Sequence, residues 1–182
     1  MTKAELKTTE LKALGRPMGP YNGCFPHGFM SFLERKFGIS NKRVLFPFGG
    51  TTESKEMWTV NDINEDLDVD THHDATDLPA EWTNKFDIVV SDPPYNEKYA
   101  KEYYDVEYPR PYDHYREGAR VVKEGGLLLI LDWLVYQNYL EDKLKRKQPI
   151  AITCGPNTRI RVLNIFRKRN SLNGFLDKDV KK

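Results

Sequence analysis

Cysteine is almost missing from this chain. Cys24 and Cys154 stand 130 positions apart among 182 residues, and such a pair makes neither a disulfide framework nor a thiolate metal site. Long apolar runs are missing too, since none approaches the roughly 20 residues that a membrane span requires. The opening stretch MTKAELKTTELK lacks the apolar core of a secretory leader. His72 and His73 have no further ligand at metal spacing. Repeats, low-complexity tracts and linker-like breaks are also absent. These absences argue against a secreted disulfide module, a zinc module and a membrane protein. They leave the expectation of one compact, reduced, cytoplasmic protein with no metal. A chain of this length buries roughly 70% of its unfolded surface without staples.

Net charge is nearly absent as well, at +1, but the average hides an asymmetry. Residues 120–182 hold 14 Lys and Arg against 6 Asp and Glu, while residues 1–119 hold 14 against 21. The clusters KLKRK at 143–147, Arg159, Arg161 and RKR at 167–169 suit a polyanion such as nucleic acid. Taken singly, each is equally well a solvated helix face or a charged strand end.

What the chain does contain is a regular alternation of element signals. Residues 1–20 end in GRPMGP and read as a loosely held arm. In HGFMSFLERKFG, Phe29, Phe32, Leu33 and Phe37 share one helical face, and Gly38 stops the helix. Short strands are expected in RVLFPF, in MWTVNDIN and in KFDIVVS at 85–91, with a weak element before HHDATDLP. YDHYREGARVVKEGG reads as a helix stopped by its glycines, and LLLILDW as a strand buried on both faces. A further helix is expected at about 134–147, followed by strands in PIAITCG and RIRVLNIFRK. Strands alternating with helices predict an α/β sandwich around a mainly parallel sheet.

In such sheets ligands lie beyond the carboxyl ends of the strands. Four successive ends carry special residues: Gly49-Gly50, Asp62, Asp74, and Asp92-Pro93-Pro94-Tyr95. Gly-Gly alone is a tight turn, and each single aspartate serves equally as a cap or as a ligand contact. A carboxylate at the second strand end accepts from both hydroxyls of a ribose. The tetrapeptide discriminates better, because an acid, two prolines and an aromatic ring exceed what a turn needs.

On these residues the chain resembles the class I S-adenosylmethionine-dependent amino-methyltransferases, which include the N6-adenine and N4-cytosine DNA enzymes. YNGCFPHGFMSFLERKFG resembles their segment before the first strand, RVLFPFGGTTE their cofactor loop, VVSDPPY their catalytic motif and ARVVKEGGLLLIL the helix and strand that follow. The likeness spans roughly residues 21–168, and DPPY is its sharpest part. It implies a Rossmann-like fold with a seven-stranded, mainly parallel sheet. The methyltransferase domain would occupy residues 21–169, after the arm and before a tail at 170–182.

The resemblance also implies roles. An exocyclic amine conjugated to its ring is a weak nucleophile, so the chemistry depends on position and on a dry pocket. Asp92 would accept one amine N–H and the Pro93 carbonyl the other. Pro94 completes the motif, and Tyr95 would stack on an extruded base. The cofactor is S-adenosylmethionine. Phe25, Pro26, Phe48, Gly49 and Gly50 would face its methionine part, Asp62 its ribose, and Asp74 and Ala75 its adenine, with Thr51, Ile63 and Asp92 as further cofactor contacts.

The chain departs from the family pattern in two places. Phe46 stands where the loop usually opens on an acid, and Thr52 replaces its last glycine. The connection from Thr51 to Trp58 holds at most eight helical residues where a crossover needs a dozen, so the helices on one side should be shortened, with a homodimer as one way to cover the sheet. No separate recognition region fits. NEKYAKEYYDVEYPRPYDHY at 96–115, with six tyrosines among basic residues, suits unstacked bases or a loop packed over the sheet edge. The first expectation is methylation of adenine N6 in DNA. RNA (adenine N6 or guanine N2) is the alternative, and a non-catalytic partner of the same fold a third reading.

Overall fold

Two short apolar runs, Val44–Phe46 and Phe86–Ser91, alternate side chains between two cores. Val44, Phe46, Ile88 and Val90 enter one cluster, while Leu45 and Val89 enter the other, as the two-residue period of a strand requires. The computed structural model describes residues 10–17 and 23–170. Its strands are β1 (Glu10–Ala13), β2 (Val44–Phe46), β3 (Trp58–Val60), β4 (Phe86–Ser91), β5 (Val122–Asp132), β6 (Leu144–Arg146), β7 (Ile150–Thr153) and β8 (Arg161–Lys168). They form one sheet in the order β1-β7-β8-β5-β4-β2-β3, with β6 also on β8. Pairings from β3 through β5, and of β1 with β7, are parallel, and those to β8 are antiparallel. The architecture is therefore the expected Rossmann-like α/β sandwich, with a sheet of eight strands instead of seven.

One face is covered by helix α1 (Phe29–Phe37), which buries Phe29, Phe32 and Leu33 and ends on Gly38, as its spacing predicts. A short helical stretch, α2, joins Glu97–Tyr99 to a wider turn at Ala100–Tyr104. The other face is covered by α3 (Pro111–Val121), which buries Tyr115 and Ala119 against Leu128, Ile130 and Phe166.

Several local expectations are corrected. Part of the supposed arm is strand β1, whose Leu11 pairs with Ala151 of β7; residues 1–9, 18–20 and the tail from 171 lie outside the described residues. No helix forms over 134–147, because Tyr136 is drawn inward, its N–H bonded to Asn164 and its hydroxyl to Asp132, and residues 144–146 pair with β8. β5 begins at Val122, ahead of the glycines that were expected to end a helix. At Gly126 a Cβ would stand 2.6 Å from the Asp87 carbonyl, so glycine lets β5 approach β4 there.

The connections are pared further than expected. Residues 47–57 contain no helix, and between β3 and β4 there is only the turn Ala80–Trp82. In place of a helix, segment 78–83 is tied to α3. Glu117 accepts from the Leu78 N–H at 3.1 Å, and Arg120 pairs with Glu117 at 2.6 Å while donating to the Leu78 carbonyl and the Thr83 hydroxyl, each at 2.7 Å. A charged clamp takes over the covering work of a crossover helix.

Candidate active site

The chain runs outward from β2 to β3, then returns to place β4 on the other side of β2. The strand order thus reverses between β2 and β4, where open α/β sheets place their ligands. A cleft of about 1030 Å³, counting its open mouth, lies there. Pro47, Phe48 and Gly50 follow β2, Asp62 and Ile63 follow β3, Asp74 and Ala75 follow the bridge at Thr71, and Asp92 and Pro94 follow β4, all lining it. The opposite wall is the strap Tyr104–Asp113, which presents Tyr104, Tyr108 and Arg110.

The loop after β2 is shaped by its glycines. A Cβ on Gly49 would stand 2.3 Å from Val60 Cγ1, so only glycine lets this loop press on β3, and the Gly49 N–H binds the Asn61 carbonyl at 2.7 Å. Gly50 adopts φ 54°, and its N–H donates to Asp62 Oδ2 at 2.9 Å. Asp62 also accepts from Asn64 N at 3.1 Å. The carboxylate therefore holds the loop and still has lone pairs for a ligand. Asp74 Oδ1 closes a turn by accepting from the N–H and hydroxyl of Thr76, at 2.7 and 2.8 Å. That oxygen acts as a turn cap, while Oδ2 is left for the cleft.

The remaining sequence candidates sit elsewhere. Phe25 stacks on Phe29 at 5.2 Å and packs edge-on to Phe46, and the Pro26 carbonyl accepts from Phe29 N, so both belong to the core beside α1. Gly49 supports the cleft without lining it, and the Thr51 hydroxyl meets Cys24 Sγ at 3.2 Å. The chain approaches the cleft at Gly23, two residues before the predicted pair.

Asp92 stands between this cleft and a second cavity lined by Pro93, Tyr95, Tyr99, Tyr103, Trp133 and Arg161. The Tyr95 hydroxyl donates to Asp92 Oδ1 at 2.6 Å, which ties the ring down beside the acid. Among the described residues, no backbone donor bonds the Pro93 carbonyl. Burial pushes the Asp92 carboxyl up to about 6; the positive charge of Arg161 and the Tyr95 hydrogen bond oppose the rise, and Asp132 adds to it. Burial, with the Asp92 charge beside it, also holds the Tyr95 hydroxyl well above 10.

Residues that sequence reasoning passed over complete this end of the sheet. Asp132 closes β5 and accepts from Trp133 N, from Leu134 N at 3.1 Å and from Tyr136 Oη at 2.9 Å. Tyr136 Oη also meets His114 Nε2 at 3.1 Å, and burial lowers the His114 pKa to about 3, keeping that imidazole neutral. Trp133 lies 4.8 Å from Tyr95. The signal that singled out Asp92, an acid closing an apolar strand, is present equally in LLLILDW.

The fold comparisons bear on this geometry. TrmN from Thermus thermophilus superposes with a TM-score of 0.54 at 15% identity, over 79% of this chain and 49% of that one. HI0767 from Haemophilus influenzae, provisionally described as a methylase, superposes at 0.50 with 11% identity, over 78% and 86%. The fold is that of the class I methyltransferases. At these identities the likeness concerns the methyltransferase fold alone, and the chain spans about half the length of the Thermus protein. No protein-family model matches the sequence, and no curated protein matches it either.

A class I methyltransferase fold raises the question of whether the cleft fits S-adenosylmethionine. The donor set agrees with it. Asp62 can accept from a ribose diol, the outer oxygen of Asp74 from an adenine amine, and Phe48, Ile63 and Ala75 supply apolar walls. Among the described residues, no three His, Cys, Asp or Glu side chains group as metal ligands, and no helix is long and apolar enough to cross a membrane.

Proposed function

We propose that this chain is an S-adenosylmethionine-dependent methyltransferase acting on an exocyclic amino group of a nucleic-acid base, adenine N6 in DNA before others. The observation that carries the reading is the position of Asp92, whose carboxylate separates a cleft with adenosine-type acceptors from an aromatic cavity. When bound, the cofactor supplies a sulfonium methyl whose S–CH3 bond breaks as the new N–CH3 bond forms, leaving S-adenosylhomocysteine. Asp92 Oδ2 and the Pro93 carbonyl accept the two N–H groups and turn the nitrogen lone pair toward the cleft. The methylated nitrogen is strongly acidic, and its proton passes through Asp92 to solvent. Pro93 suits its place because it brings no competing N–H and its φ is fixed. Strap residues Tyr104 and Tyr108 exclude water from the transfer.

Calorimetry with S-adenosylmethionine, followed by radiolabelled methyl transfer to DNA and to RNA with nucleoside analysis, tests the reading. Binding with N6-methyladenine formed in DNA is the expected result. Product in RNA alone moves the substrate to the other polymer, and absence of cofactor binding overturns the enzymatic reading.

A further inference from the structure

The second cavity does not end at the base. From Tyr95 a row of rings leads outward: Trp133 at 4.8 Å, Tyr99 at 5.2 Å from Trp133, and Tyr103 at 4.9 Å from Tyr99. Tyr103 is 46% exposed, so the row joins the reactive acid to the surface. Two guanidinium groups border it. Arg159 lies over the ring of Trp133, 4.3 Å from its centroid, and Arg161 lies 5.3 Å from that of Tyr95. Neither arginine forms an ion pair among the described residues. The nearby lysines differ, because Lys98 and Lys101 are matched to Glu102 and Asp105.

We propose that this row is a binding track for single-stranded nucleic acid, in which Tyr99, Tyr103 and Trp133 stack the nucleotides flanking the target while Arg159 and Arg161 hold their phosphates. The occupant follows from charge and shape. The rings touch one another at angles of 37–85°, so bases would lie on their outward faces, of which Tyr103 is the most exposed, and the arginines set over Trp133 and Tyr95 carry the positive charge that phosphate oxygens need. A duplex keeps its bases stacked inside and offers nothing to this row. Such a track would give affinity without reading sequence.

The proposal rests on the amino-methyl transfer reading, but its test does not depend on turnover. Fluorescence anisotropy with the full chain would compare a labelled 12-nucleotide DNA strand, the same sequence as RNA, and the corresponding duplex. The strand, of either sugar, should bind at least about 10-fold more tightly than the duplex. Tyr103→Ala should weaken strand binding about 5-fold or more through the lost stacking. Arg159→Gln should weaken it about 5-fold at 0.1 M salt and lower the salt slope by about 0.7. Both side chains are exposed, and circular dichroism checks that the variants fold. Equal or tighter duplex binding, or strand binding unchanged in both variants, would overturn the track. Strand binding without any S-adenosylmethionine binding would instead overturn the transfer reading and leave the track standing.

Discussion

Replacing Asp92 by asparagine should remove activity and stabilise the fold, both for the same reason. The carboxyl titrates near 6 instead of 3.8 because burial disfavours its charge. A rise of about two pH units at about 1.4 kcal/mol each gives a cost near 3 kcal/mol for the charged form. Since the side chain opens partly to the cleft, solvent screening brings the expected value to about 1–3 kcal/mol. In the unfolded chain the proton leaves near 3.8, while in the folded protein it stays until about 6. Between these values the folded state binds more protons, so stability falls as pH rises through the window and is level above it. The substituted amide would remain neutral and keep an oxygen for the Tyr95 hydroxyl. Asp92→Asn should therefore match the parent below about pH 4 and exceed it by about 1–3 kcal/mol at pH 8, or roughly 2–12 °C in Tm. Denaturant titrations at pH 4.5, 6 and 8 read the difference directly. Methyl transfer should fall by about 100- to 1000-fold, as when one preorganised partner of a transition state is lost. A variant equal to or less stable than the parent at pH 8, or a difference independent of pH, would refute the argument.

Because the amine needs the charged form of Asp92, single-turnover methyl transfer should drop about tenfold per pH unit below about 6 and stay level above it, the Tyr95 hydroxyl being held well above 10; a rate flat between pH 5 and 8 would contradict this. Gly49→Ala places a Cβ 2.3 Å from Val60 Cγ1 and should cost about 1–3 kcal/mol, while calorimetry shows S-adenosylmethionine affinity falling through the displaced loop; cofactor binding at the parental level would mean that the loop does not shape the cleft. Arg120→Met leaves Glu117 buried without its partner and should cost about 3 kcal/mol in urea unfolding, with the double variant carrying Glu117→Leu recovering much of the loss.

Much of the frame was legible because it follows from periodicity. Phe29, Phe32 and Leu33 recur at helical spacing on α1, and the runs in β2, β4 and β5 are apolar on both faces because α1 covers one face and α3 with the 78–83 segment covers the other. The strand ends follow from the same logic, so Phe48, Gly50, Asp62, Ile63, Asp74, Ala75 and Asp92 all reach the cleft. What stayed hidden depends on partners distant in sequence. Residues 134–147 carry helical signals, but Asn164, 28 positions on from Tyr136, binds its N–H and overrides them. The clamp of Glu117 and Arg120 replaces a helix through contacts about 40 positions away, which no local pattern announces. Phe25 and Pro26, which the resemblance assigns to the cofactor, pack beside α1, Phe25 against the rings of Phe29 and Phe46 and Pro26 through its carbonyl to Phe29 N–H.

Strand β1 has a bearing on how the protein is made. Its backbone groups are matched in parallel to residues 150–153, so Glu10 waits for a partner synthesised 140 positions later. At ribosomal speeds of about 5–20 residues per second, that wait lasts roughly 7–28 s. During it the nascent chain exposes an unpaired edge, and the sheet closes only after β7 and β8 have emerged. The fold can therefore be completed only once β7 and β8 have left the ribosome, and a nascent chain halted anywhere between β5 and β7 would present the open edge that chaperones and aggregation both seek.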